Sequence, residues 1–304
     1  TTVDDARLDK NYIEIIDSLQ QTGDLKMRVY AMASGTKDNV DYYLNKGIVK
    51  TEKLNVRSFK FYADGALGSR GALLRAPYSD LPNHFGLLLT DFETFGNYAN
   101  RIANSEFQMN THAIGDSANH AVLNSYKVVL KGKNDRRWRI EHAQVISPED
   151  FNLFNDIVPS VQPTHATSDM YWAEDRLGHE RVKGAYAFKD LLNNYGKVAL
   201  GTDFPVEQVS PFLTFYAAVA RQDVNQYPEG GYQMENALTR EETLKGMTIW
   251  AAYSNFEDQE KGSIEAGKFA DFIIIDKNIM EVPVVEVPNI KVVKTFVGGE
   301  SVYN

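Results

Sequence analysis

Residues able to act as metal ligands lie at the ends of two successive β-rich runs, where His112 ends one run and His142 ends the next. One helical stretch separates the two runs. Neighbouring parallel strands lie about 4.8 Å apart, so imidazoles at two such ends can reach a single metal ion. Imidazole suits zinc, iron, nickel or manganese. Each histidine alone is more readily explained as a hydrogen-bonded structural residue, but their matching positions favour a role as ligands.

Two further residues at strand ends have the chemistry of acids and bases. Asp203 lies in the segment LGTDFP, and a carboxylate beside a metal-bound water can take the water's proton and later give it to a leaving group. An N-cap or a salt bridge is the alternative role for this aspartate. His165, in QPTH, could donate a hydrogen bond to a substrate, and a structural role has similar weight. We predict both as catalytic residues.

A lysine occupies a further candidate strand end. Lys60 lies in the run VRSFKFY, which breaks into the glycine-containing loop ADGALGSR. A buried lysine is costly unless its charge is paired, neutralised or used, although an ammonium reaching solvent is an equally good explanation of this residue alone. We predict that Asp64 and Arg70 of this loop contact substrate, together with Trp172 of the aromatic and charged loop after His165.

The elements that must position these residues form an alternating pattern of strands and helices, which indicates parallel β/α architecture. Active sites of such folds lie at the carboxyl ends of the strands. A helix over Asp4–Gln21 is predicted to precede the first strand. The six predicted strands are Leu25–Ala33, Val56–Tyr62, Phe107–Thr111, Arg137–Glu141, Ile157–Val161 and Lys197–Gly201.

The end of the chain has a different pattern, with strands over 270–276 and 290–297, no helix between them and a final hairpin. We therefore predict a partial β/α barrel over residues 1–259 and a small β-sandwich segment over residues 260–304.

Composition excludes several classes of function. The net charge of −9 and the absence of a basic run argue against a nucleic-acid surface. No apolar segment is long enough to span a membrane, and no signal segment is present at the start. The compartment is unknown, with the cytoplasm favoured. Because the chain has no cysteine, any metal must be bound by His, Asp, Glu or modified Lys.

The segments KFYADGALGSR, THAIGD, RIEHAQ, SVQPTHATSDMYWAEDRLG, ALGTDFPVE and EKGSIEAGKFADFIIID together resemble the amidohydrolase superfamily, and more narrowly its branch containing N-substituted formamide deformylase. The resemblance covers nearly the whole chain. It implies a (β/α)8 TIM-like barrel that holds one or two divalent metals, zinc being the first choice.

The resemblance also implies roles for individual residues. Lys60 would be the bridging lysine, carboxylated on its amine, which turns the buried cation into an anion. His112 and His142 would hold the second metal, and Asp203 would be the acid and base as well as a ligand of the first metal. The His-X-His pair on the family's first barrel strand is missing here. We therefore expect the chain to be the carboxyl-terminal part of a longer protein, beginning at the helix after the second barrel strand.

The leading hypothesis is a metal-dependent hydrolase that cleaves C–N bonds of amide or formamide type in a small-molecule substrate. One alternative is a remnant or subunit that keeps the barrel shape without a full metal site. Another is a metal-free barrel that uses His112, His142 and Asp203 for acid–base chemistry such as isomerisation. Assembly into a homo-oligomer is left open.

Overall fold

A curled parallel sheet organises the chain in the computed structural model, which describes residues 1–304. Its strands are ordered β1-β2-β4-β5-β6-β7-β8, and β3 pairs antiparallel with β4. The strands are β1 (Thr2–Leu8), β2 (Arg28–Ser34), β3 (Val49–Lys50), β4 (Leu54–Tyr62), β5 (Gln108–Ala113), β6 (Arg139–His142), β7 (Val158–Val161) and β8 (Ala199–Leu200).

Helices follow most of these strands. They are α1 (Lys10–Thr22), α2 (Lys37–Lys46), α3 (Phe92–Ala103), α4 (Asp116–Leu130), α5 (Pro163–Asp169), α6 (Ala173–Arg181), α7 (Phe188–Tyr195), α8 (Pro211–Ala220), α9 (Arg240–Met247) and α10 (Ile249–Ser254). Short 3-10 helices cover Pro148–Asp156, Val182–Gly184, Met234–Asn236 and Val284–Asn289. The predicted TIM-like β/α architecture is confirmed. No helix combines the length and the apolarity that crossing a membrane requires.

The sheet has seven parallel strands, so the sequence-based count of six was wrong. The residues assigned to the start of a helix at Asp4 belong instead to β1, which pairs with β2 from Thr2 opposite Arg28 onwards. The helix begins only at Lys10, after the N-cap Asp9. Because β1 is a polar edge strand with little apolar alternation, its sequence gives a weak strand signal.

Burial of the sheet on both faces explains the apolar strand sequences. All seven residues of β2 are buried, as expected for a parallel strand covered by helices on one side and enclosed by the curl on the other. A cluster of 47 buried hydrophobic residues runs from Ile13 to Leu238 and fixes the strands in place. This packed core therefore holds the carboxyl ends of the strands in fixed positions.

The carboxyl-terminal residues form a three-stranded antiparallel sheet, ordered β11-β10-β9, as the change of pattern predicted. Its strands are β9 (Phe272–Ile275), β10 (Val292–Val297) and β11 (Glu300–Tyr303). Arg28 of β2 makes a buried two-bond ion pair with Asp271, at 2.6 and 2.9 Å, and so joins this sheet to the larger one. The domain boundary at residue 260 stays a prediction.

Candidate metal centre

The sheet register places the predicted histidines side by side at its carboxyl edge. His112 on β5 lies opposite Tyr62 of β4, and His142 on β6 lies opposite Ala113 of β5. The two imidazole rings meet edge to face, with their centres 4.6 Å apart. The expectation that adjacent strand ends bring the two rings together is confirmed by this contact.

A hydrogen bond orients His142. Its Nδ1 lies 2.8 Å from the side-chain oxygen of Gln162, which can only accept, so Nδ1 is the donor and Nε2 remains free to bind a cation. The backbone of His142 has a φ of 77°, a left-handed conformation that costs energy for a residue with a side chain. Burial and the neighbouring ring of His112 hold the pKa of His142 well below its usual range.

His165 and Asp203 complete a compact group with His142. One donor atom from each of these three residues lies within 4.8 Å of the other two. His165 is in the first turn of α5, and its Nε2 lies 3.4 Å from Oδ2 of Asp203. Burial favours the neutral imidazole, but the carboxylate outweighs it and raises the pKa of His165. Like His142, Asp203 has a left-handed backbone, with a φ of 58°.

The donor set fits a divalent cation. Two imidazoles and a carboxylate match the ligands that zinc and related metals prefer. The Nε2 of His165 is buried without a hydrogen-bond partner, which is costly unless something else satisfies it. A cation between these donors would satisfy that nitrogen and balance the carboxylate.

His112 stands at the edge of this group rather than inside it. Its Nε2 faces Oδ1 of Asp64 at 3.6 Å, too far for a hydrogen bond, and is otherwise unpartnered. Burial, reinforced by the charge of Lys60, lowers the pKa of His112 to about 3, so its imidazole is neutral at ordinary pH. Neutral imidazole is the form that binds metals. Its role as a ligand stays a prediction.

Lys60 is buried, with 4% of its surface exposed, and forms no ion pair. Its Nζ lies 4.1 Å from the centre of the Tyr62 ring. Burial lowers the pKa of Lys60 to about 8, although Glu141 and Asp203 oppose the shift. The expectation of a solvent-exposed ammonium is therefore wrong. A lysine with a lowered pKa in a polar site is a candidate for chemistry.

Asp64 has a different environment from the one predicted for a substrate ligand. Its side chain is fully buried and accepts hydrogen bonds from the backbone N–H groups of Leu73, Ile114 and Gly115 at 2.8 to 3.0 Å. Gly115 is needed for this close approach, because a Cβ there would lie 2.0 Å from the carbonyl oxygen of Leu73. Asp64 thus ties the loop after β4 to the loop after β5. Contact with substrate stays a prediction.

The other two predicted substrate contacts lie in the outer part of the same loops. Arg70 makes a two-bond ion pair with Asp80, at 2.7 and 3.0 Å. The ring of Trp172 lies against Gly68, and Arg176 lies over the ring with its guanidinium 5.6 Å from the centre. These contacts join the loop after β4 to α6. Whether Arg70 and Trp172 also touch substrate stays a prediction.

Comparisons with known proteins agree with this geometry. The family model described as "Amidohydrolase family" matches residues 1–303. The chain belongs to the amidohydrolase family. A metal-dependent hydrolase from Pyrococcus furiosus, itself uncharacterized, has a similar structure, with a TM-score of 0.81 at 28% sequence identity, over 92% of this chain and 57% of that one.

Two curated relatives place this amidohydrolase among longer proteins. It is 38% identical to Protein LONG AFTER FAR-RED 3 of Arabidopsis thaliana, over 87% of this chain and 46% of the relative. It is 27% identical to N-substituted formamide deformylase of Arthrobacter pascens, over 62% of this chain and 35% of that enzyme. The chain therefore spans about half the length, or less, of these relatives.

Sequence reasoning missed three residues of this amidohydrolase site. Tyr62 lies between Lys60 and His112, and its ring centre is 5.2 Å from that of His112. Gln162 orients His142 but was noted only as part of a motif. Arg7 was assigned to a helix, so its place at the end of a strand went unrecognised. Period-two positions at the ends of the predicted strands could have identified Tyr62.

Proposed function

We propose that this chain forms most of the active site of a metal-dependent hydrolase that cleaves C–N bonds of amide or formamide type. The observation that carries the proposal is the convergence of donor atoms from His142, His165 and Asp203 within 4.8 Å of one another at the carboxyl edge of the sheet. Membership of the amidohydrolase family and a deformylase relative support the bond type.

The residues that would hold the metal are Lys60, His112, His142 and Asp203, joined by His165 as the third donor of the compact group, with one or two ions and zinc as the first choice. A divalent ion there supplies a water of lowered pKa and polarises the carbonyl of the substrate. Lys60 would take part as a carbamate. Its low pKa leaves a fraction of neutral amine, which can attack carbon dioxide. A nitrogen–carbon bond forms, the amine loses a proton, and the buried cation becomes an anion.

Asp203 would move the proton. A carboxylate in this position can accept the proton of the attacking water and then donate it to the departing nitrogen, which is a poor leaving group until it is protonated. His165, 3.4 Å away, would hold the carboxylate in place. Where the other residues hold the ion, His165 could instead donate a hydrogen bond to the substrate oxygen.

The test combines metal content with hydrolysis of an N-substituted formamide. We expect about one or two divalent ions per chain and turnover that is lost on chelation. Asp203→Asn should lower kcat by about 10²–10⁴-fold, the usual contribution of a general acid–base group. Asp91→Asn is a matched control, because the Asp91 carboxylate is exposed at the start of α3. Near-normal kcat in metal-loaded Asp203→Asn would contradict the proposal. Absence of metal and turnover would favour the non-catalytic alternative.

A further inference from the structure

Arg7 is an exposed arginine beside the candidate metal centre that has no acidic partner. It lies near the carboxyl end of β1 and takes part in none of the ion pairs of the chain. Other arginines near the surface have partners of their own: Arg70 pairs with Asp80 and Arg101 with Asp41, whereas Arg181 donates to backbone carbonyl groups. An unpaired guanidinium at the rim of a site is therefore available to a ligand.

The backbone aims this side chain out of the regular strand pattern. The register of β1 against β2 shifts between Ala6 and Leu8, so Arg7 is the extra residue of a bulge. Its φ is 73°, a left-handed conformation that is unfavourable for a residue with a side chain. Bulges next to active sites commonly redirect one side chain. Here the bulge turns the guanidinium towards β4 rather than along the edge of the sheet.

Contact with Tyr62 fixes the position of Arg7 relative to the centre. The guanidinium carbon lies 5.3 Å from the centre of the Tyr62 ring, and Nζ of Lys60 lies 4.1 Å from the same point. The separation between the guanidinium and the lysine nitrogen therefore cannot exceed the sum of these two distances. An extended chain covers about 3.3–3.6 Å per residue, so a separation within that limit corresponds to at most about three amino-acid units.

We propose that Arg7 binds a carboxylate of the substrate, and hence that the substrate is an amide with an acidic group within about three residue lengths of the scissile bond. This inference rests on the proposed function and deepens it. The planar guanidinium presents paired donors that match both oxygens of a carboxylate, and its neighbour Tyr62 supplies neither a negative charge nor two such oxygens. The competing explanation is that Arg7 only holds Tyr62 in place.

The test compares two probes that differ only in charge, N-formylphenylalanine and N-formylphenylalaninamide. Affinity is measured by calorimetry and hydrolysis by amine release, both on the metal-loaded protein. We expect the carboxylate probe to bind about tenfold more tightly than the amide, as for a hydrogen bond to a charged group. Arg7→Gln should remove this preference, Arg7→Lys should restore part of it, and Arg101→Gln, on the outer surface, should leave it unchanged.

The outcomes separate this inference from the proposed function. If Arg7→Gln weakened the binding of both probes equally, the inference would be overturned, because that result would indicate a purely structural role of Arg7 through Tyr62. Equal affinity of the wild-type protein for the two probes, or no binding of either, would also overturn it. Preferential binding of the carboxylate through Arg7 without cleavage of either probe would support the inference and contradict the proposed hydrolysis. Cleavage of both probes with equal KM would support the proposed hydrolysis and contradict a carboxylate-binding role for Arg7.

Discussion

Replacing Asp64 with asparagine tests whether this residue contacts substrate or holds the site together. The carboxylate accepts three backbone N–H bonds, through Oδ1 from Ile114 and through Oδ2 from Leu73 and Gly115. Asparagine has the same shape but only one oxygen. In its better orientation it keeps the two bonds at the Oδ2 position and turns an NH2 group towards the N–H of Ile114. One buried donor is then left facing another donor.

The size of the expected loss of stability in Asp64→Asn follows from these contacts. A hydrogen bond to a charged group contributes about 1.5–3 kcal/mol, and a buried donor left unsatisfied costs about 1–3 kcal/mol. Burial of the charge works in the opposite direction and raises the pKa of Asp64 to about 7, so the neutral amide escapes part of that cost. We therefore expect Asp64→Asn to lower the free energy of unfolding by about 2 kcal/mol, slightly below the sum of the two lower limits because the amide avoids part of the cost of burying a charge.

Urea titration of the wild-type protein and the variant measures this loss. Asp91→Asn is a matched control, since the Asp91 carboxylate is exposed and accepts one N–H bond at the start of α3, where asparagine caps a helix equally well. Because Asp64 also faces His112, we expect metal affinity to fall by about 10–100-fold, as for other groups that orient a ligand. Unchanged stability and metal affinity together with a raised KM would refute this reasoning and favour substrate contact.

Three further predictions concern the centre and the fold. Lys60→Ala should lose bound metal, with partial recovery in short carboxylic acids, and full metal content in that variant would exclude a carboxylated lysine. His112→Asn and His142→Asn should each lower metal affinity by about tenfold or more, whereas unchanged titrations would leave both as structural histidines. Burial opposes ionisation of Asp271, but Arg28 outweighs it and keeps the pKa of Asp271 below its ordinary value. Its stabilisation is therefore present above about pH 4 and lost as the pH falls further. Asp271→Asn should cost about 3 kcal/mol at neutral pH, and urea titrations should show the difference from wild type narrowing in acid.

Strand ends were the most predictable part of the site. Lys60, His112 and His142 could be placed from sequence because each lies near the end of a predicted strand, and the carboxyl ends of parallel strands share one edge. The contact between the two histidine rings follows from that register. Local pattern is sufficient here because each of these residues lies at the end of a largely buried strand.

Long-range contacts were not predictable in the same way. Asp64 lies in a glycine-containing loop that sequence reasoning associates with substrate, and only the folded chain brings the N–H of Gly115, 51 residues away, to its carboxylate. The strand β1 was missed because its few apolar residues and its polar edge resemble the beginning of α1. Because β1 was not predicted, Arg7 was not recognised as a residue at the end of a strand. The hydrogen bonds of Asp64 and the strand pairing of β1 both depend on residues that are distant in the sequence.

The curl of the sheet, rather than any one loop, builds the candidate centre. His142 ends β6 and Asp203 follows β8, and β7 separates these two strands in the sheet. In a flat sheet the ends of two such strands would be about 10 Å apart, twice the spacing of neighbours. Their donor atoms nevertheless lie within 4.8 Å of each other, with His165 of the intervening segment in the same group. Because twist and curl arise from the packing of all seven strands, the residue types can be predicted from sequence, but their convergence on one cation cannot.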